Sequence, residues 1–182
     1  MPKDLAIMLY ITNKEIGDLF FNQYLKPYNF PRIRYPHSQF YNDYHITIGY
    51  IKQVKPEDID PLTTHLTQAL TNQIPLNQVL FNFKSLKLLG NPRRQFVSAL
   101  PSNSDEFSKY NQMVYNSLKS FKNGLYQLDT HTLPQNFLPH INLYAHIGKE
   151  IPLESAKNIL ESLQKNLHGA SIPLSIIKIQ IH

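Results

Sequence analysis

Two short runs constrain this chain more than any other feature: HITIGYI at residues 45–51 and HINLYAHI at 140–147. Both have strand composition, and successive side chains on a strand point to opposite faces. In the first run, Ile46, Ile48 and Tyr50 take one face and His45, Thr47 and Gly49 the other. In the second, His140, Asn142 and Tyr144 share a face. Such a face, carrying an imidazole and a small polar group, is not spent on packing alone. The chain also holds a control, His65 and Thr67, inside a helical stripe. Helix residues two apart diverge by about 200°, whereas strand residues two apart point the same way, about 6.5 Å from each other. Of the three pairs, His45/Thr47 and His140/Asn142 can each address one ligand; His65/Thr67 cannot.

The rest of the chain repeats a pattern around these runs. A strand is expected at 5–11, then a helix at about 14–25 with Thr12 and Glu15 in capping-box positions. A Pro- and Tyr-rich loop at 27–42 delivers the chain to the strand of His45. Ile59, Leu62, Leu66, Ala69 and Leu70 mark a helix at 57–71, and two strand-like runs follow at 76–90 and 93–100. A helix at 104–121 carries Phe107, Tyr110, Val114, Leu118 and Phe121 on one stripe. After the strand of His140, a helix at 153–167 is closed by His168-Gly169, and a last strand begins at IPLSIIKI. His45 thus leads through Pro56 and a helix to IPLNQVLF, and His140 leads through Pro152 and a helix to IPLSIIKI. This internal repeat predicts one α+β domain over residues 1–182, its two similar lobes of sheet and flanking helices related by a pseudo-twofold axis. The histidine strands would meet at a central cleft.

Composition narrows the function classes. With no cysteine, disulfides, thiolate catalysis and cysteine zinc sites are excluded, and a reducing, cytoplasmic setting is the expectation. No apolar run nears the roughly 20 residues of a membrane span. LAIMLYI, preceded by Asp4 and lacking a small-residue cleavage site, reads as a strand rather than a signal peptide. A monomer with no membrane partner is expected. The net charge of +5 suits an anionic partner. The four arginines form two close pairs, Arg32/Arg34 and Arg93/Arg94, and paired guanidinium forks suit phosphate. There is no phosphate-cradling glycine loop, no helical His-Glu-x-x-His and no Gly-x-Ser-x-Gly.

Two histidines facing one cleft supply an acid and a base near neutral pH. A neutral donor on each strand adds hydrogen bonds toward the same point. That set suits an anion whose charge grows in the transition state, as at a pentacoordinate phosphorus. Tyr144, on the face of His140, is placed to stack on a base or ribose. His146 falls on that face too, too far along the strand to share a metal with His140. His37, His131, His168 and His182 fall in loops or at ends and read as surface residues.

HITIGYI and PHINLYA, about a hundred residues apart and with LAIMLYITNKEI opening the chain, resemble the paired signatures of the 2H phosphoesterases. That family includes the RNA 2′,3′-cyclic phosphodiesterases, historically called 2′-5′ RNA ligases, and the A-kinase-anchor-like 2′,5′-phosphodiesterases. The resemblance implies a two-lobed α+β fold, a central cleft, no cofactor and no required metal. It implies His45 and His140 as the catalytic pair and Thr47 as a phosphate-binding hydroxyl. Asn142 stands where the family usually has Thr or Ser. Some members carry an arginine soon after the second motif; here that role passes to Arg93, Arg94 or Lys52. The expected function is metal-independent hydrolysis of a ribonucleotide or short-RNA phosphodiester. The rivals are an RNA- or nucleotide-binding module with a weakened site, and a metal-dependent hydrolase, which the absence of acidic residues from both motifs disfavours.

Overall fold

A computed structural model describes residues 1–11, 14–28, 44–75, 78–91, 94–147 and 153–182. Along the chain come β1 (Lys3–Ile11), α1 (Lys14–Phe20), β2 (His45–Val54), α2 (Pro56–Thr71), β3 (Leu80–Asn91), β4 (Arg94–Pro101), α3 (Ser104–Ser120), β5 (Ile141–Ile147), α4 (Leu153–Leu167) and β6 (Ser171–Ile181). The expected first helix does not run straight through: at Phe21 it widens into a π-turn to Leu25 and then tightens over Lys26–Tyr28. Thr12, Arg32, Arg34, His37 and Arg93 lie outside the described residues.

Local chemistry explains the boundaries. Pro56 opens α2, where its missing N–H costs nothing, and Glu57 and Asp58 in the first turn complement the helix dipole. α3 likewise begins with Asp105 and Glu106. Gly169, at φ +78°, takes the left-handed position after α4, and the Ala170 N–H bonds back to the Leu167 carbonyl.

The strands form one antiparallel sheet in the order β2-β1-β6-β3-β4-β5. It divides into two halves of three strands, each ending on a strand associated with a histidine motif. β6 joins them by pairing first with β3, at Ser171–Pro173, and then with β1. The sheet curls so far that its outer strands, β2 and β5, come within 8 Å of each other between Cα atoms. One face carries the main core: Leu5, Ile7 and Leu9 of β1 lie against Leu62 and Leu66 of α2 and Val114 of α3, all fully buried. The other, concave face holds a small separate cluster of Ala6, Met8 and Tyr10, with Tyr50 against it.

Both histidine strands break the strict alternation, at the same place. In β2, Ile7 pairs with Gly49 and Met8 with Thr47, so Ile48 is an extra residue. In β5, Val97 pairs with Tyr144 and Ser98 with Asn142, so Leu143 is extra. Each bulge lies one residue past the polar partner of its histidine, and each reverses the facing of the residues that follow it. Gly49 therefore belongs to the core face, not to the face of His45 and Thr47. A Cβ there would lie 2.9 Å from Val114 Cγ1 and 3.2 Å from Ile7 Cδ1 and Leu128 Cδ2, so glycine is required for space. Gly49→Ala is expected to destabilise the fold by about 1–3 kcal/mol, read from a denaturant midpoint. Val114→Ala in the same chain should recover part of that loss.

Candidate functional site

The concave face carries three cross-strand rows: His45–Tyr10 across β2 and β1, and Thr47–Met8–Lys178 and Tyr50–Ala6–Gln180 from β2 through β1 to β6. A cavity of about 240 Å³ opens over them. From this half its lining takes His45, Thr47, Tyr50, Ala6, Met8 and Gln180. Across the cleft stand Phe96 of β4 and Asn142 of β5, with His182 following β6. The polar partners of both motifs thus meet in one cavity.

His45 is half-buried, and its ring packs on that of Tyr10 with centroids 5.0 Å apart. The Thr47 hydroxyl has no hydrogen-bond partner among the described residues. In the other half, the Ser98 hydroxyl, fully buried, donates to Asn142 Oδ1 at 2.7 Å. With its oxygen occupied, Asn142 is left with its NH₂ as the unused group. The amide therefore offers donors, as a hydroxyl would.

His140 sits immediately before β5 and is not part of the cavity lining. Its Nδ1–H donates to the Leu138 carbonyl at 2.8 Å, which fixes the tautomer and leaves the Nε2 lone pair. Burial disfavours the imidazolium and holds its pKa below the ordinary histidine value, the carbonyl contact opposing this only in part. Protons then bind the unfolded chain first. Stability is expected to fall as pH drops through the ordinary value near 6.5 toward the lower folded one. His140→Gln should flatten that slope in denaturation measured from pH 7.5 to 5.

Other expectations resolve differently. Tyr144 does not share the face of His140: the bulge at Leu143 sets it opposite buried Val97, and it packs against the main core. Arg94 opens β4 opposite Ile147, four residues along the strand from Ser98, or about 13 Å. Lys52 is engaged elsewhere, 2.6 Å from Asp129. His65 of the control pair bridges helices, its Nε2–H donating to the Ser117 carbonyl of α3 at 2.9 Å. His182 is exposed, as read, and also borders the cavity, with its ring 6.3 Å from Tyr50.

Tyr50, Gln180 and Phe96 are site residues that alternation alone does not find. Tyr50 reaches the cavity because of the Ile48 bulge, and its hydroxyl donates to Asp4 Oδ2 at 2.9 Å. Burial and that carboxylate push its pKa up to about 12. The Thr132 hydroxyl accepts from the Tyr50 N–H, and Asn111 Nδ2 donates to the Ile48 carbonyl, pinning the bulge from behind. A glycine inside a strand pattern is the one sequence sign of such a bulge.

The antiparallel curved sheet with helices on its convex face and motif strands at both edges is the 2H phosphoesterase fold. Usb1 of Kluyveromyces marxianus in complex with uridine monophosphate superposes with a TM-score of 0.58 at 9% identity, covering 97% of this chain and 93% of that one. A second structure of the same Usb1 gives 0.56 at 10% identity, with the same coverage. LigT of E. coli, complexed with 3′-AMP, gives 0.51 at 13% identity over 84% of this chain and 78% of its own. No protein-family model and no curated protein sequence matches the chain. No helix among the described residues is long and apolar enough to cross a membrane.

Proposed function

We propose that this protein hydrolyses a phosphodiester of a ribonucleotide or short RNA, in a 2′,3′-cyclic or 2′,5′ linkage, by two-histidine acid–base catalysis. The observation that carries this reading is the meeting of Thr47 and Asn142 in one cavity, each two residues past a histidine and each followed by a bulge. Their hydroxyl and amide N–H hold the non-bridging oxygens, where charge builds as water adds to phosphorus. His140, fixed as the Nδ1–H tautomer and biased toward neutrality, takes the proton of the attacking water on Nε2. The bond from phosphorus to the leaving ribose oxygen breaks, and His45 as imidazolium protonates that oxygen. The nucleotides bound to the Usb1 and LigT structures support a ribonucleotide as the ligand class. The reading treats the chain as a single domain of two similar halves, acting as a monomer in the cytoplasm.

Among the described residues no three His, Cys, Asp or Glu side chains gather into a cation site. Among the described residues no carboxylate lines the cavity to balance a dication. The deciding experiment incubates the protein with 2′,3′-cyclic nucleotides and with 2′,5′- and 3′,5′-linked diribonucleotides, with and without EDTA. Hydrolysis of one of the first two classes at an unchanged rate in EDTA is expected. Loss restored by a particular metal would overturn the metal-free mechanism. Binding without turnover of any linkage would leave a nucleotide-binding module.

A further inference from the structure

We propose that Tyr50, Ala6 and Gln180 form a nucleobase subsite that reads a keto oxygen. This rests on the phosphodiesterase reading, which sets phosphate at Thr47 and Asn142. The row Tyr50–Ala6–Gln180 lies one step along the sheet from the row of Thr47, about 6.5 Å away. That matches the offset between the phosphate and the base of one nucleotide. The row also has the shape of a slot: Ala6 projects only a methyl group between an aromatic ring and an amide, and all three line the cavity.

Both flanking side chains are held before any ligand arrives. Tyr50 is fixed by Asp4 and by the Thr132 hydroxyl on its backbone. Gln180 is 8% exposed, and its Oε1 accepts from the Tyr10 hydroxyl at 3.1 Å. Its NH₂ has no partner among the described residues. A buried amide whose oxygen is turned to the Tyr10 hydroxyl presents its NH₂ donors on the other side. It accepts a base whose exocyclic group at that edge is a carbonyl, and meets an amino group donor to donor. Uracil and cytosine, equal in size and differing at that group, are therefore the informative pair.

The test measures calorimetric binding of 3′-UMP and 3′-CMP, and turnover of the matching 2′,3′-cyclic nucleotides. Wild type is expected to bind 3′-UMP about tenfold more tightly than 3′-CMP. Gln180→Ala should bring the two to parity by weakening uridine alone. Gln180→Glu should invert the order, because one oxygen still takes the Tyr10 proton and the other now accepts from the amine. Tyr10→Phe keeps the ring beside His45 but frees the amide to turn, so the preference should shrink. Tyr50→Leu should weaken both nucleotides alike through lost stacking. Equal binding of 3′-UMP and 3′-CMP by wild type, or equal loss of both in folded Gln180→Ala, overturns the subsite. Selectivity that inverts as described in a protein that turns over neither the cyclic nor the 2′,5′-linked substrates sinks the phosphodiesterase reading and leaves the subsite standing. A folded wild type that binds neither nucleotide overturns the subsite, and the phosphodiesterase reading falls with it only where no cyclic or 2′,5′-linked substrate is turned over.

Discussion

Replacing either His45 or His140 with alanine is expected to lower turnover by roughly 10²–10⁴-fold while the protein stays folded. His45 lies half-buried on the concave face, against Tyr10. His140 gives up a single carbonyl hydrogen bond when truncated. Neither belongs to the main apolar core, so circular dichroism and melting should change little. The two losses should also differ in their dependence on pH. With His140 as base, the acid limb of kcat/KM reports its deprotonation and should fall below the ordinary histidine range, as burial dictates. His140→Ala should erase that limb from whatever rate remains. Wild-type turnover by either folded variant would remove that histidine from the chemistry.

The second large effect is expected at Asn142. Asn142→Ala should lower kcat by about 10²–10³-fold with a smaller change in KM, because a donor to the growing phosphorane charge acts mainly in the transition state. Asn142→Thr should retain or raise activity, since a hydroxyl in that place also donates. The buried Ser98 hydroxyl makes a third variant informative. Ser98→Ala frees the Asn142 amide to turn its carbonyl toward the phosphate, so its activity should fall between those of wild type and Asn142→Ala. If Asn142→Ala keeps full activity and Asn142→Thr is no better, the second strand is no phosphate clamp.

Elements with a strong single-faced stripe were legible from the sequence. The stripes of α2 and α3 appear as read, with Leu62, Leu66, Val114 and Leu118 buried, because helical periodicity is a local property. β1 and β6 were legible for the same reason, as compact apolar runs. The two polar-faced strands were legible up to Thr47 and Asn142 and no further. A bulge is decided by the strand across the ladder, which local alternation does not contain. Hence Tyr50 and Tyr144 exchanged faces relative to expectation, one entering the cavity and the other leaving it. Gln180 was hidden for a related reason: its meaning depends on Tyr10, 170 positions away in the chain.

The join between the halves has a mechanical consequence. Among the described residues, β3 and β6 pair over Leu80–Asn82 and Ser171–Pro173, and one of those positions is a proline, which brings no N–H to the ladder. Flanking bonds from the Phe83 N–H to the Ala170 carbonyl and from the Leu174 N–H to the Val79 carbonyl extend it slightly. The β1–β2, β1–β6, β3–β4 and β4–β5 ladders all run longer. A crease along this seam therefore bends at a lower cost in hydrogen bonds than a crease along any of them. Because His45 and His140 belong to opposite halves, the seam acts as the spine of a book, and the gap between its two covers sets the reach from one imidazole to the other.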